Sequence, residues 1–369
     1  MSRSVIIAGG GTGGHVNPAL AIADAFGAAG GVDLLFIGTA AGLETRLVPE
    51  RGYRLELVPG SRLVGTGLIG KMRGVWGLVR GVYAARRLIR SHGAQLVVGV
   101  GGYASGAALL AARTLGVGTA IHESNAVAGM TNRVLGRLVD RVYVGFEAAV
   151  ASFPRQRTVV VGNPVRPEIA RLAAVGVGAD AATAARVCQG RVLVVGGSQG
   201  ALFLNENVPA LLGVVARSGV KLDVRHQVGK LDAAPVIAAY AAAGVDAEVV
   251  PYIDDMAAAL AWADVAVTRS GSGTVAELAA AGLPALLVPF PHAAGDHQAA
   301  NAAAFCDGGA GHWCRQSDWN LEKLAPTIVS LLTDNASWSR AHGAALQVAR
   351  PDAAQRIVDD CVCWMGGRW

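Results

Sequence analysis

Several features are scarce in this chain of 369 residues, and each scarcity narrows the class of protein. Only 16% of the residues are charged whereas 52% are hydrophobic, a balance that excludes a disordered chain and suffices for two α/β cores. The cysteines are few, odd in number and not paired at the spacing of a metal site: Cys188, Cys306, Cys314, Cys361 and Cys363. We expect free thiols in a reducing compartment and no bound metal.

The sequence predicts neither a signal peptide nor a membrane-spanning helix. The first residues enter an apolar strand without the charged, apolar and cleavage regions of a signal peptide. Residues 93–112 form an uncharged stretch near spanning length, but its five glycines and its Gly-Gly-Tyr turn favour a strand, a loop and a helix. We therefore expect a soluble or peripheral protein.

Acidic residues are absent between Glu56 and Glu123, a region that contains eight basic ones. The net charge of +5 is therefore unevenly placed, which predicts a polyanionic partner, either nucleic acid or an anionic membrane.

Residues 68–90 within this basic region have the periodicity of a helix. Arg73, Arg80 and Arg87 lie seven residues apart and share a face, and Trp76 and Tyr83 border an apolar stripe beside it. A basic face flanked by aromatic residues suits a membrane surface, whereas the alternative is a solvated basic face over a core-facing stripe. The sequence favours the two equally.

What the chain has in abundance is short apolar segments that alternate with Ala- and Leu-rich helical segments. This alternation predicts parallel sheets built from right-handed crossovers. The predicted strands are residues 4–8, 34–37, 55–58, 96–98, 119–121, 141–144, 158–161, 191–195, 221–227, 247–250, 265–268 and 285–288.

Two of these strands run into glycine-rich turns before a helix, at Gly9–His15 and at Gly196–Ala201. Each is predicted to open a Rossmann-like unit, and the prolines of Gly162–Pro167 place the boundary between the units. Such turns present backbone N–H groups to phosphate, but neither has a P-loop lysine or a complete dinucleotide fingerprint. The alternative is a purely structural role for each turn.

A third turn, Thr268–Glu277, enters a helix and places a carboxylate one turn in, where it can accept both hydroxyls of a ribose. The alternative is an ordinary glutamate favoured by the helix dipole. Polar residues also follow the next strand, over Pro289–Asn301, and His15 and His122–Asn125 lie at the carboxyl edge of the first sheet. A lone histidine is usually structural, but together these groups predict a polar site.

Seven motifs occur in the order of a known family: Gly10–His15, Gly101–Gly106, His122–Asn125, Gly162–Arg166, Gly196–Ala201, Tyr252–Met256 and Arg269–Glu277. Over nearly its whole length the chain resembles the MurG family, the UDP-N-acetylglucosamine:lipid I N-acetylglucosaminyltransferases of bacterial peptidoglycan synthesis. Any one motif is weak evidence, whereas seven in order are specific.

The resemblance implies an α/β GT-B fold in which two Rossmann-like domains face each other across a cleft. Residues 1–162 are expected to face acceptor and membrane, residues 163–345 to bind the UDP-sugar, and residues 346–369 to form a helix that returns to the N-terminal domain. It implies an inverting transfer of N-acetylglucosamine to the muramyl sugar of lipid I through a β-1,4 link, with lipid II and UDP as products. No cofactor or catalytic metal is expected, since Asp254-Asp255 is not a DxD motif.

The resemblance also implies a location and partners. The protein is expected to be peripheral at the cytoplasmic face of the plasma membrane, to bind UDP-N-acetylglucosamine, lipid I and the anionic membrane surface but no nucleic acid, and to meet other proteins of cell-wall synthesis. Through that pathway it is expected to serve cell shape and division.

Family contacts carry over onto matching positions of this chain. The residues implied to face the transferred sugar and the reaction centre are Thr12, Gly13, Gly14 and Asn125. Those implied to contact the donor are Arg166 and Ser198 near uracil and diphosphate, Ile253 on the uracil, Ser272, Gly273, Thr274, Val275, Ala276 and Glu277 on phosphate and ribose, and Gln298 on the sugar hydroxyls. The acceptor diphosphate is expected on the N-terminal glycine-rich loops.

An inverting transfer needs a base for the acceptor hydroxyl and stabilisation of charge on the leaving diphosphate. His15 is the first candidate base because an imidazole titrates near neutrality, with His122 or Glu123 as alternatives, and His15 can instead simply orient the acceptor. Two rival functions remain open: a UDP-sugar epimerase or a transferase with a soluble acceptor on the same fold, and a non-catalytic nucleotide- or nucleic-acid-binding module.

Overall fold

In the computed structural model the chain forms two α/β units, and the structure describes residues 3–11, 13–60, 68–177, 188–197 and 199–366, with backbone alone at 68–75 and 175–177. Unit 1 comprises Met1–Arg166 and Asp352–Trp369, and unit 2 comprises Pro167–Pro351. These divisions fall a few residues after the boundaries expected at 162 and 345. The first boundary lies later than expected because Pro167 begins a helix instead of ending a linker. A proline is well tolerated in the first turn of a helix.

Unit 1 is built on a parallel sheet whose strands lie in the order β3-β2-β1-β4-β5-β6-β7. The strands are β1 Arg3–Ala8, β2 Val32–Gly38, β3 Arg54–Leu57, β4 Leu96–Gly99, β5 Gly118–Glu123, β6 Arg141–Val144 and β7 Thr158–Val160. β1, β4 and β5 are almost wholly buried because helices cover both faces, which explains their continuous apolar sequences.

The helices of unit 1 fill the two layers that enclose this sheet. They are α1 Gly13–Ala29, α2 Glu44–Glu50, α3 Leu68–His92, α4 Gly102–Leu115, α5 Met130–Leu135 and the last helix of the chain, Ala353–Met365. α3 and α4 pack on one face of the sheet and α1 on the other.

The last helix, Ala353–Met365, packs beside α1 as the resemblance implied, although it begins later than residue 346. Its apolar face, which includes Ile357 and Cys361, belongs to the same core as β1. The phenol of buried Tyr143 donates to Asp360 Oδ2 at 2.8 Å and thereby fixes the helix to β6. The C-terminal segment is therefore an integral part of unit 1.

Unit 2 repeats the plan of unit 1 with the strand order β10-β9-β8-β11-β12-β13. Its strands are β8 Arg191–Val195, β9 Asp223–Gln227, β10 Ala247–Val250, β11 Val265–Thr268, β12 Ala285–Leu287 and β13 Gly311–Trp313. Its helices, numbered on from the first unit, are α6 Pro167–Val177, α7 Leu202–Arg217, α8 Ala234–Ala243, α9 Met256–Trp262, α10 Ser272–Ala281, α11 His297–Cys306, α12 Leu321–Thr333 and α13 Asn335–Val348, and the last helix of the chain is α14.

All predicted strands are present, and the edge strand β13 is one that the sequence pattern missed. Within the parts of the chain that are described, no helix combines the length and the apolar character needed to cross a membrane.

Candidate functional site

Each sheet has a topological switch point, at which the strand order reverses direction, and the glycine-rich turns lie there. In unit 1 the chain runs outward from β1 to one edge and from β4 to the other, so a crevice opens beyond the carboxyl ends of these two strands. The turns Gly9–Gly11 and Val100–Gly102 meet at this crevice so closely that a Cβ on Gly102 would be 2.8 Å from the carbonyl oxygen of Gly10. This close approach places bare backbone at the crevice, which suits a ligand that binds through N–H groups.

His15 lies in the first turn of α1, at the same crevice. It is partly exposed, and its ring packs against Gly101, where a Cβ would come within 2.8 Å of the imidazole. Gly101 also has a φ of +107°, a conformation that other residues rarely adopt. The backbone of the second turn thus supports the ring of His15 from one side.

His122, the alternative base, is fully buried at the end of β5. Its Nε2 lies 3.1 Å from the carbonyl oxygen of Gly162 and its Nδ1 lies 3.3 Å from Ser124 Oγ. Burial lowers its pKa, and the nearby His15 adds to that effect. Both ring nitrogens have protein partners, so His122 is placed to support the loop and not to receive a proton from a substrate.

Glu123, the other alternative, is only 2% exposed and serves as an acceptor for its own loop. Its Oε1 accepts from the backbone N–H and the side-chain amide of Asn125, at 2.9 and 3.2 Å. Its Oε2 accepts from Gly129 N at 3.0 Å and from Asn132 Nδ2 at 2.9 Å. This carboxylate therefore orients the side-chain amide of Asn125.

Unit 2 has the equivalent crevice between β8 and β11. The turn after β8 contains Gly197 and Gly200, both with positive φ, and a Cβ on Gly200 would overlap the carbonyl of Val228. The amide of buried Gln227 donates to Gly197 O at 3.2 Å and to Pro251 O at 3.0 Å. Gln227 thus joins this turn to the segment that leads to Ile253.

The turn between β11 and α10 provides a second N-terminus at this crevice. Gly271 precedes the helix and has no side chain to cap it, so the N–H groups of its first turn are open to an anion. The predicted phosphate and ribose residues Ser272–Glu277 form the first turn and a half of α10, and Glu277 is partly exposed. Glu277 is thus little more than one helical turn from the N-terminus of α10.

The loop after β12 contributes Gln298, whose Oε1 accepts from Phe290 N at 2.9 Å. That bond holds the side-chain oxygen of Gln298 against the backbone of its own loop. The neighbouring His297 is held by Ala294 O, 2.7 Å from its Nδ1, so its ring serves the turn itself. Buried Ser270 donates to Gln298 O at 2.8 Å and ties this loop to the turn before α10.

Two of the predicted site residues, Thr12 and Ser198, lie outside the described residues. Gly13 and Gly14 form the start of α1 at the crevice of unit 1. Arg166 is the last residue of unit 1 before the boundary and is partly buried, whereas Ile253 is partly buried between β10 and α9 in unit 2.

The sequence pattern missed Glu44 and Gln227, whose side chains form hydrogen bonds with the backbone of the glycine-rich turns. No motif distinguishes these two residues from surface residues.

His226 predicts how acid affects the stability of unit 2. It is buried between Tyr240 Oη, 2.9 Å from Nδ1, and Asn205 Oδ1, 3.1 Å from Nε2, and burial lowers its pKa to about 4. Because the unfolded histidine titrates near pH 6.5, the stabilisation is complete above that pH and is lost as the pH falls towards 4, by about 3 kcal/mol in full. Urea unfolding at pH 7.5 and 4.5 measures the loss.

The control for this prediction is the exposed His312. We expect His226→Gln to reduce the loss of stability between the two pH values, whereas His312→Gln leaves it unchanged. An equal acid-dependent loss in wild type and His226→Gln would contradict the assignment.

Two Rossmann-like units, each with a glycine-rich turn at its switch point, are the architecture of the GT-B class, to which the nucleotide-sugar glycosyltransferases of this fold belong. Family models agree: residues 5–144 match the glycosyltransferase family 28 N-terminal domain and residues 191–357 match the C-terminal domain of the same family. The chain belongs to glycosyltransferase family 28 and, within it, to the MurG family.

Relatives of known name cover almost the entire chain. A protein of Halorhodospira halophila is 46% identical over 97% of this chain and 98% of its own length, and one of Chromohalobacter salexigens is 45% identical over 98% and 97%. Both are named UDP-N-acetylglucosamine–N-acetylmuramyl-(pentapeptide) pyrophosphoryl-undecaprenol N-acetylglucosamine transferase.

Solved structures agree with this placement. The crystal structure of Acinetobacter baumannii MurG has a TM-score of 0.78 at 33% identity and covers 97% of this chain and 98% of that one. A putative UDP-N-acetylglucosamine 2-epimerase from Listeria monocytogenes covers 100% of this chain and 98% of that one with a TM-score of 0.71, but at 14% identity it shares the fold alone.

Proposed function

We propose that this protein transfers N-acetylglucosamine from UDP-N-acetylglucosamine to the muramyl sugar of lipid I, with inversion at the anomeric carbon, and releases lipid II and UDP. The observation that carries the proposal is the name shared by relatives more than 40% identical over nearly the full length. The paired switch-point crevices, one for each substrate, support it.

We assign the donor to unit 2. The open N-terminus of α10 stabilises the negative charge of the diphosphate, and its charge stabilisation grows as the bond to the leaving UDP breaks. Glu277 accepts the ribose hydroxyls, Ile253 packs on the uracil, and the Nε2 of Gln298 donates to the sugar. Arg166 and Ser198 complete the donor contacts in this proposal.

We assign the acceptor to unit 1. The N–H groups at the start of α1, from Gly13 and Gly14 with Thr12 before them, bind the acceptor diphosphate, and Asn125 orients the sugar. His15 takes the proton of the muramyl hydroxyl while the hydroxyl oxygen bonds to the anomeric carbon, and the electrons of the broken bond go to the β-phosphate of UDP. Glu123 and His122 are less suited to the base role, since their polar atoms already have partners within the protein.

The experiment is incubation of the purified protein with labelled UDP-N-acetylglucosamine and a short-chain lipid I analogue. We expect label in a lipid-linked disaccharide that a β-N-acetylglucosaminidase releases. Epimer or free monosaccharide from the donor alone would favour the rival epimerase, and label on a soluble acceptor but none on the lipid would overturn the choice of acceptor.

We also propose that the protein is peripheral at the cytoplasmic face of the plasma membrane and that α3 contacts the anionic surface. Trp76 and Tyr83 are 65% and 76% exposed, and Arg80 and Arg87 are exposed near them. The buried face of α3 is formed instead by small and aliphatic residues such as Ala85, so the aromatic residues do not serve the core. Exposed aromatic residues among cations suit a lipid interface.

Sedimentation with vesicles tests this contact. We expect binding to phosphatidylcholine vesicles that contain one-third phosphatidylglycerol. The partition coefficient should fall by at least about thirtyfold for Arg80→Glu/Arg87→Glu, since each of the two cations contributes about 1 kcal/mol near an anionic surface. Arg217→Glu/Arg340→Glu, which changes two exposed arginines of unit 2, is the matched control. Equal binding by both double variants would exclude α3 as the contact.

A further inference from the structure

A buried carboxylate lies directly beneath the first glycine-rich turn of unit 1. Glu44 is the first residue of α2 and is 1% exposed. Its Oε2 accepts from Gly11 N at 2.8 Å, and its Oε1 accepts from the N–H and the hydroxyl of Thr39 at 2.9 and 3.1 Å. One side chain therefore joins the turn after β1 to the turn after β2.

The glycines around Glu44 are explained by the space that the carboxylate takes. A Cβ on Gly10 or on Gly42 would overlap the carboxylate, and one on Gly38 would be 2.6 Å from its Cγ. Gly10 is thus required by a neighbour inside the protein and not only by a ligand outside it. The turn and the carboxylate are built as one unit.

The direction of these hydrogen bonds matters for ligand binding. Gly11 has a φ of +98° and turns its N–H inward to Glu44, while the carbonyl of the same residue accepts from Leu43 N at 3.1 Å. Both backbone groups of Gly11 are therefore held by the protein. α1 begins two residues later, at Gly13, and the N–H groups of its first turn point away from the helix. Loss of the inner acceptor would remove the hydrogen bond that holds the Gly11 N–H and would release the turn.

We propose that Glu44 is a positioning residue of the acceptor site, which holds the turn Gly9–Gly11 so that the N–H groups at the start of α1 meet the diphosphate of the lipid-linked acceptor. This inference rests on the proposed function. Glu44 does not touch the substrate; it acts through Gly11.

The chain contains a matched control for this role. Asp140 Oδ2 accepts from the N–H and the hydroxyl of Thr119 at 3.0 and 2.8 Å, the same pair of bonds that Glu44 Oε1 makes with Thr39. Thr119 lies near the start of β5, at the amino ends of the strands, whereas the crevice lies beyond their carboxyl ends. Asp140→Asn therefore removes an equivalent carboxylate without touching the glycine-rich turn.

The experiment compares Glu44→Gln with Asp140→Asn by thermal unfolding and by kinetics with each substrate varied in turn. Both oxygens of Glu44 accept hydrogen bonds, but a glutamine has only one side-chain oxygen. Its amide nitrogen would therefore face an N–H group, and two donors cannot form a hydrogen bond. We expect both variants to lower the melting temperature, but only Glu44→Gln to raise the KM for the lipid I analogue, by about tenfold, the loss of one hydrogen bond of about 1.4 kcal/mol. The KM for UDP-N-acetylglucosamine should change less than about twofold, since the donor binds unit 2.

Thr39→Val keeps the measurement available if Glu44→Gln does not fold. It removes one hydroxyl from the same carboxylate, and we expect a smaller increase in the acceptor KM with an unchanged donor KM. Acceptor kinetics equal to wild type in Glu44→Gln, or in Thr39→Val where that variant alone folds, would overturn the inference and leave the proposed function intact. A wild-type protein without lipid I activity would overturn both.

Discussion

Replacement of His15 with alanine is expected to lower kcat by about 10²–10⁴-fold, the usual contribution of a positioned general base. The ring lies in the first turn of α1 at the crevice of unit 1, supported by Gly101 and partly exposed. Donor affinity should be unchanged, because the uridine diphosphate is assigned to unit 2. Steady-state turnover with the lipid I analogue and calorimetric titration with UDP measure the two effects separately.

Two controls make the His15 prediction specific. His15→Gln keeps a polar side chain of similar length that cannot take a proton at neutral pH, and it should be nearly as impaired as the alanine variant. His312→Ala, which removes an exposed histidine of unit 2, should retain wild-type turnover. If His15→Gln keeps turnover within about threefold of wild type, His15 orients the acceptor and the base lies elsewhere.

The pH profile of turnover distinguishes these roles further. A general base must be unprotonated, so the wild-type profile of kcat should have an acid limb, along which turnover falls as the pH is lowered. That acid limb should be absent from the residual activity of His15→Ala. An acid limb that persists unchanged in the variant would assign it to another group.

The strand pattern was predictable because it depends on short-range properties of the sequence. Buried parallel strands such as β1 and β8 need continuous apolar segments, and their glycine-rich turns mark where they end. β13 was missed because Gly311–Trp313 is short, contains a histidine and lies at the edge of the sheet, where burial imposes no apolar pattern. Topology then followed from the parallel crossover rule, and the strand order placed both switch points.

The partners of the polar residues were not predictable in the same way. The sequence pattern indicates Glu123 as a candidate base, but in the structure both of its oxygens accept from donors of the loop that follows it and of α5. Glu44 is 33 positions from Gly11, and no spacing rule relates a carboxylate to an N–H across two turns. Which polar side chains face a substrate and which hold the backbone depends on tertiary contacts alone.

The assignment of the ribose to Glu277 leads to the second large effect. A carboxylate that accepts two hydroxyls gains about 1.5 kcal/mol or more from each bond, so the loss of both in Glu277→Ala should raise the Kd for UDP by at least about 100-fold. Glu322→Ala is the matched control, since it also removes a glutamate near the start of a helix of unit 2. Calorimetric titration with UDP gives both values.

A second ligand shows whether the lost affinity comes from the ribose or from the helix N-terminus. The wild-type protein should bind 2′-deoxy-UDP at least about tenfold more weakly than UDP, because one charge-assisted hydrogen bond is missing. In Glu277→Ala the two ligands should bind equally, since the acceptor that distinguishes them is gone; discrimination that survives in the variant would place the 2′-hydroxyl on another residue. Because the phosphate contacts of α10 come from backbone N–H groups, both ligands should keep a common residual affinity that falls with added salt.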